Sequence, residues 1–372
     1  MANTHSDITL INATRSLSAD TKVHALEPNR LSLAKWAYST RRVARENVTK
    51  LLTGKPDILP GDLLLARVDR LRQHGRLELT NGRRAHLQPG NEIVIAAGNR
   101  YAPDQFHAVA PTELGACSLV AAGGIAGRVL CRHEAIKPAT AITLVGALAD
   151  DAGQPINLSQ FAVPARLGRR HWPTVVSVCG TAMNSGKTAT ATGIITGLKR
   201  AGLRVSSAKV TGTGSGGDMW RAWDCGADNV VDFTDAGYAS TYKLPLHRVE
   251  RIMESLVAHL ADDGMDVVVV EVADGLLQRE SAELLASDSF RRMTDHVVFA
   301  ANDALGAIAG AKRLDELGLP LRAISGAMTQ APLAVLELRE AISTPVVEVS
   351  QLADADYASE TFTSRGRRDE VA

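Results

Sequence analysis

Hydrophobic and polar positions along this chain change their period several times, and each change marks a segment boundary. Residues 1–30 carry Asn, Thr, Ser and Asp with few large apolar groups in any period, the pattern of a disordered or loosely docked arm. From Leu31 to Leu52 apolar residues recur at helical spacing with basic residues between them. This predicts one amphipathic helix with Arg41, Arg42 and Arg45 on a solvated face. Between Pro60 and Leu148 the runs LLLARVDRL, RLELT, RAHL, EIVIAAG, SLVAAG, GRVLC and AITLVGAL are short, β-type and separated by Gly, Asn-Gly and Pro-Gly. Strands this short, with no helix between most of them, predict a small barrel or sandwich, and Asn81-Gly82 predicts a hairpin turn. Within this part, Asn99, Arg100, Tyr101 and Asp104 either face a ligand or belong to a loop packing its own Tyr101 and Phe106.

Beyond a connector over 149–172 the texture becomes apolar strands alternating with longer amphipathic helices. TVVSVC, LRVSSAKV, NVVDF, MDVVVVEVA, DHVVFAA, LRAISGAM and TPVVEVS read as buried parallel strands, with helices such as KTATATGIITGLKRAG and ALGAIAGAKRLDELG between several of them. The expected fold class is α/β: a doubly wound, mostly parallel sheet over 173–352, preceded by a helix plus β-rich domain over 31–148 and followed by a polar tail over 353–372. Ligands of such sheets sit at the carboxyl ends of the strands.

The 372 residues suffice for two cores. Hydrophobic residues make up 45% and charged residues 22%, enough apolar surface to fold without disulfides or structural metals. Basic and acidic residues balance at 41 each, which removes the electrostatic argument for a nucleic-acid partner. Cys117, Cys131, Cys179 and Cys225 form no Cys-x-x-Cys pair and have no histidine at metal-ligand spacing. No apolar run approaches the roughly 20 residues a membrane helix needs, so no membrane partner is expected and the location expected is cytoplasmic.

The stretch GTAMNSGKTAT, Gly180 to Thr190, lies directly after a predicted strand and directly before a predicted helix, the context a phosphate-binding loop requires. Gly180, Thr181, Asn184, Ser185, Gly186, Lys187, Thr188 and Ala189 are the candidate nucleotide-binding residues: glycines let backbone N–H groups turn inward, and the helix N-terminus adds positive potential. Lys187 would reach the terminal phosphates and the Thr188 hydroxyl would hold Mg²⁺. Five residues separate Gly180 from Gly186, one more than the general pattern has.

Gly-Thr followed by this longer spacing and Gly-Lys-Thr resembles the loop of dethiobiotin synthetase and its relatives, the cobyrinate amidating enzymes and the molybdopterin-guanine dinucleotide accessory protein. The resemblance continues through AKVTGTGSGGD, which supplies Lys209, Thr211, Thr213, Ser215 and Asp218, and MDVVVVEVADG, which supplies Glu271 and Gly275. It runs on through DALGAIAGAKRLDELGLPLRAISGAM to TPVVEVSQL, covering residues 172–352 in the family's order. It implies a P-loop fold, ATP or GTP with Mg²⁺, a small-molecule acceptor, a carboxylate above all, and a homodimer. The chain departs from the family at Met328 and Thr329, where the base-contacting Asn is absent, at Val272 to Gly275, and in having a β-rich N-terminal part.

Phosphoryl transfer needs charge neutralisation more than covalent help. Lys187 and Lys209 are therefore the candidate catalytic cations, and Thr188, Asp218 and Glu271 the candidate metal set, with Asp274 an alternative to Asp218. Plainer roles stand beside these: Lys209 as a surface lysine, Asp218 as a helix cap, Glu271 as the partner of a basic residue. Thr211, Thr213, Ser215 and Asp274 are the candidate substrate contacts, in a stretch that suits either a second anion site or a flexible loop. FTDAGYASTY, Phe233 to Tyr242, either closes over substrate or meets a second copy. The function expected is a Mg²⁺- and triphosphate-dependent ligase or kinase. The alternative is a nucleotide-dependent regulator or cofactor-biosynthesis accessory protein with slow hydrolysis.

Overall fold

The computed structural model describes residues 15–164, 172–261 and 264–364. The described residues form two compact units, the first holding those up to Ala162 together with Thr213–Gly216 and Thr234–Tyr242, the second holding the other described residues.

In the first unit, five strands close on themselves. Leu63–Arg70 pairs with Glu92–Ala97, which pairs with Ile125–Arg132, which pairs with Gly115–Ala121. That strand pairs with Thr140–Ala149, and Thr140–Ala149 returns to Leu63–Arg70. The run LLLARV has no polar alternation because both faces of its strand are covered. Leu63 and Leu65 pack in one apolar cluster with Val94, Ala96 and Ile125, while Leu64, Ala66 and Val68 pack in another with Ile93, Ile95 and Leu144. Arg76–Glu78 and Arg84–His86 form a separate antiparallel pair joined through Asn81-Gly82.

Leu31 to Leu52 is not one helix. The helix there is Pro28–Leu33, followed by a short strand at Lys35–Trp36, two single 3₁₀ turns and a strand at Lys50–Gly54. Tertiary contacts override the helical period: Trp36, Val43, Val48 and Leu51 all enter one core cluster. Arg41 and Arg45 stack over the rings of Tyr38 and Trp36, 4.2 and 4.8 Å from their centroids. Thr21–Ala25, inside the expected arm, pairs with Lys50–Gly54; the rest of that expectation, over residues 1–14, lies outside the described residues. The connector contributes to the first core through Ile156 and Leu158, and its residues 165–171 lie outside the described ones.

Two short excursions of the later chain belong to the first unit. Gly214 N–H donates to the Ala239 carbonyl at 2.9 Å, and Ala239 is itself a core residue of this unit. Asp235 accepts an ion pair from Arg41, with Arg42 at 3.7 Å, so FTDAGYASTY is tied down by buried charge. Arg41 is thus a half-buried structural cation instead of part of a solvated helix face.

The second unit is a six-stranded parallel sheet in the order Asn229–Asp232, Val205–Lys209, Val267–Glu271, Thr174–Gly180, His296–Ala300, Leu321–Ser325. Strands that follow Thr174–Gly180 in the chain go first to one side and then to the other, which makes its carboxyl end a topological switch point. TPVVEVS adds no strand: Val346 makes one isolated bridge to Ile324, and Val349–Leu352 is helical. The expected polar tail contains a helix, Ala355–Phe362, with Ala358 and Phe362 in the sheet's core cluster. It docks on the helix Lys187–Arg200 where Gly197 has no side chain; a Cβ there would lie 2.7 Å from the Ala358 Cβ. Residues 365–372 lie outside the described ones.

Candidate nucleotide site

Every residue of the strand Thr174–Gly180 is buried, as a central parallel strand covered on both faces must be. At its end the chain turns back so tightly that a Cβ on Gly180 would stand 2.4 Å from Ser185 Oγ and 2.6 Å from the Ala300 carbonyl. Asn184 and Gly186 complete the turn at φ 60 and 91, a region that asparagine tolerates and glycine favours. The loop is braced from behind: Ala327 N–H donates to the Ser185 carbonyl at 2.9 Å and Thr181 N–H to the Ala300 carbonyl at 3.0 Å. No side chain caps the helix Lys187–Arg200, so its first-turn N–H groups and positive dipole end remain for an anion. The Thr181 hydroxyl is buried in this loop without a protein partner, which fits a loop built around a polar ligand.

Lys187 folds over the same loop. Its ammonium donates to the carbonyls of Ala182 at 2.7 Å and Asp274 at 2.6 Å, and reaches Ser185 Oγ at 3.5 Å. Beyond the loop, strand register supplies the rest of the site. Glu271 stands opposite Val178 on one side and Lys209 on the other. Thr188 Oγ1 donates to Asp218 Oδ1 at 2.9 Å and lies 3.4 Å from Glu271 Oε1. Lys209 pairs with Asp218 and stands 3.4 Å from Glu271. Thr188, Lys209, Asp218 and Glu271, drawn from three separate stretches of sequence, thus converge on one spot.

Burial opposes charge throughout this cluster, and the neighbours decide the outcome. Burial lowers the Lys187 ammonium below the usual lysine range, with Glu271 resisting and Lys209 reinforcing the shift. For Lys209 burial acts in the same direction, but Asp218 and Glu271 outweigh it and raise its pKa, so it stays a firm cation. Asp218 is also opposed by burial, yet Lys209 and the hydroxyl of Thr188 hold it below the ordinary carboxylate range. Glu271 goes up, because burial and the charge of Asp218 exceed what Lys209 returns.

Among the described residues no group of three or more His, Cys, Asp or Glu side chains is placed to hold a metal ion. The set present, two carboxylates and one hydroxyl, suits Mg²⁺, which takes few protein ligands and keeps waters or phosphate oxygens for the remainder.

The four candidate substrate residues divide between the two units. The Thr211 hydroxyl is buried and donates to the Ala273 carbonyl, and the contact between Asp274 and Lys187 is through the Asp274 backbone carbonyl. Thr213 and Ser215 belong to the first unit. Asn99 is occupied structurally, its side chain accepting from Ala110 N–H at 2.9 Å and donating to the Tyr242 carbonyl at 3.2 Å. Tyr101 packs on Tyr242 with ring centroids 5.5 Å apart. Sequence reasoning missed the brace at Gly326 and Ala327; the SGAM stretch carried the signal, since a glycine at the end of a strand beside the loop permits close backbone approach.

No family model matches this chain, and no curated protein matches it. Among solved structures it is similar to the signal recognition particle receptor FtsY from Elizabethkingia anophelis in complex with GDP, at 16% identity over 55% of this chain and 68% of that one, with a TM-score of 0.37. It is similar to chloroplast FtsY from Physcomitrella patens at 16% identity over 53% and 68%, TM-score 0.35. The kinase domain of the Escherichia coli tyrosine kinase ETK is similar at 15% identity over 42% and 68%, TM-score 0.30. Scores this low carry no argument about function, which rests instead on the geometry of the site itself. No helix among the described residues is long and apolar enough to cross a membrane.

Proposed function

We propose that this protein is a Mg²⁺-dependent enzyme that uses ATP or GTP to phosphorylate, and so activate, a small-molecule acceptor. The observation that carries the reading is the convergence of Thr188, Asp218, Glu271 and Lys209 just beyond an uncapped, glycine-turned loop. Backbone N–H groups from Gly180 to Ala189 would hold the phosphates, and Thr188, Asp218 and Glu271 would hold Mg²⁺, which supplies positive charge at the phosphate oxygens. Lys187 and Lys209 add fixed cations where those oxygens gain charge, at no reorganisation cost during reaction. In the reaction an acceptor oxygen bonds to the γ-phosphorus as the bond to the β-phosphate oxygen breaks, leaving a nucleoside diphosphate. The resemblance to dethiobiotin synthetase supports a carboxylate as that acceptor and a homodimer as the acting form.

Calorimetry with magnesium-loaded ATP and GTP tests the reading. One or both should bind the full chain, and Lys187→Ala should weaken binding by about tenfold or more, the loss of a charge-assisted contact. Silence from both nucleotides with the wild-type protein would remove the nucleotide assignment.

A further inference from the structure

The first unit contains a cavity of about 720 Å³ whose lining is cationic, a size typical of small-molecule sites. Arg76, Arg84 and Arg100 supply the charge of its wall, beside the rings of His74 and His86, and none of the described residues lining it is Asp or Glu. The local fold explains the concentration of charge. In the hairpin Arg76–Glu78 with Arg84–His86, Arg76 pairs with His86 and Glu78 with Arg84, while Leu77 and Ala85 between them are buried. Alternation therefore puts Arg76, Arg84 and His86 on one face. Glu78 shares that face but is itself buried, where one carboxylate oxygen accepts from Gly216 N–H at 3.0 Å. Arg100 approaches from another strand, its guanidinium donating to Gln105 at 2.8 Å and lying 5.9 Å from the Phe106 ring. Guanidinium groups fixed in this way present planar donor forks that match carboxylate and phosphate oxygens.

The cavity wall also includes Thr213 and Ser215. These hydroxyls lie on the same covalent loop as the proposed nucleotide site's residues, four and six positions after Lys209 and just before Asp218.

We infer that this cavity binds a small molecule bearing at least two negative charges, carboxylate or phosphate. Citrate, glutarate and inorganic phosphate, titrated calorimetrically into the full chain, are the probes, and the ones that bind separate carboxylate from phosphate recognition. At least one should bind with Kd below about 1 mM. Arg76→Gln combined with Arg84→Gln, both exposed positions, should weaken that probe about tenfold and leave nucleotide affinity unchanged. Lys187→Ala should lose nucleotide yet keep the probe at wild-type affinity.

Absence of binding by all three probes overturns the inference, as does wild-type affinity in the double arginine variant. Loss of the probe in Lys187→Ala would place it in the phosphate loop and overturn the inference as well. If the probes bind through the arginines while neither nucleotide binds, the anion site stands and only the enzymatic reading falls. If nucleotides bind and no probe does, only the anion cavity's assignment fails.

Discussion

Among single residues, Lys209 separates binding from chemistry best. It is held against Asp218 and Glu271 at the end of its strand, whereas Lys187 is the lysine folded over the loop that precedes its helix. Lys209→Ala is expected to leave nucleotide Kd within about threefold while lowering kcat by about 100-fold, the scale of losing a preorganised charge aimed at the transition state. Wild-type turnover in that variant would assign Lys209 to ion pairing alone. Gly180, Gly186, Lys187 and Thr188 stood out in the sequence as candidates because phosphate binding by backbone amides would demand those residue types in one short segment. Thr211 could not be resolved that way: a hydroxyl in a glycine-rich stretch looks the same whether it meets a substrate or, as here, the Ala273 carbonyl. Arg41 was equally opaque, because its partner Asp235 stands 194 positions away.

At the scale of elements, hydrophobic period identified the strands of the parallel sheet wherever burial on both faces made them continuous runs, as in Val267–Glu271. It failed where a short segment is held by tertiary contacts. Leu31 to Leu52 has helical spacing but is divided among core contacts and strand pairing. The C-terminal helix Ala355–Phe362 was hidden because one polar face dominates its short sequence. Phe362 is nevertheless fully buried and packs its ring 6.1 Å from His296 and 6.4 Å from Tyr357. Phe362→Ala should destabilise the protein by about 3–5 kcal/mol, the cost of an unfilled aromatic cavity, measured by chemical denaturation. A change below about 0.5 kcal/mol, the usual surface range, would show that this helix is not part of the core.

For the molecule as a whole, stability depends on groups whose burial no local pattern reveals. Burial, reinforced by Arg100, pushes the His74 imidazole down to about 4, while its ordinary value is about 6.5. As pH falls, the unfolded chain takes up this proton before the folded one. The His74 contribution is therefore fully present above pH ~6.5 and is lost progressively toward pH ~4. The expected loss between pH 7 and pH 5 is about 2 kcal/mol, read from urea denaturation, and His74→Gln should lack that component. An identical pH slope in wild type and variant would refute it. By itself the sequence determined the alternation of strands and helices, the glycine-rich turn between strand Thr174–Gly180 and helix Lys187–Arg200, and the acidic and basic residues at strand ends, because those follow from local periodicity and from backbone geometry within a few residues. Only the tertiary structure decided that Thr213–Gly216 and Thr234–Tyr242 join the first unit, and that Arg76, Arg84 and Arg100 line one cavity with Thr213 and Ser215. Strand pairing brings such groups together across long stretches of chain, and pairing partners are chosen by packing that no single segment contains.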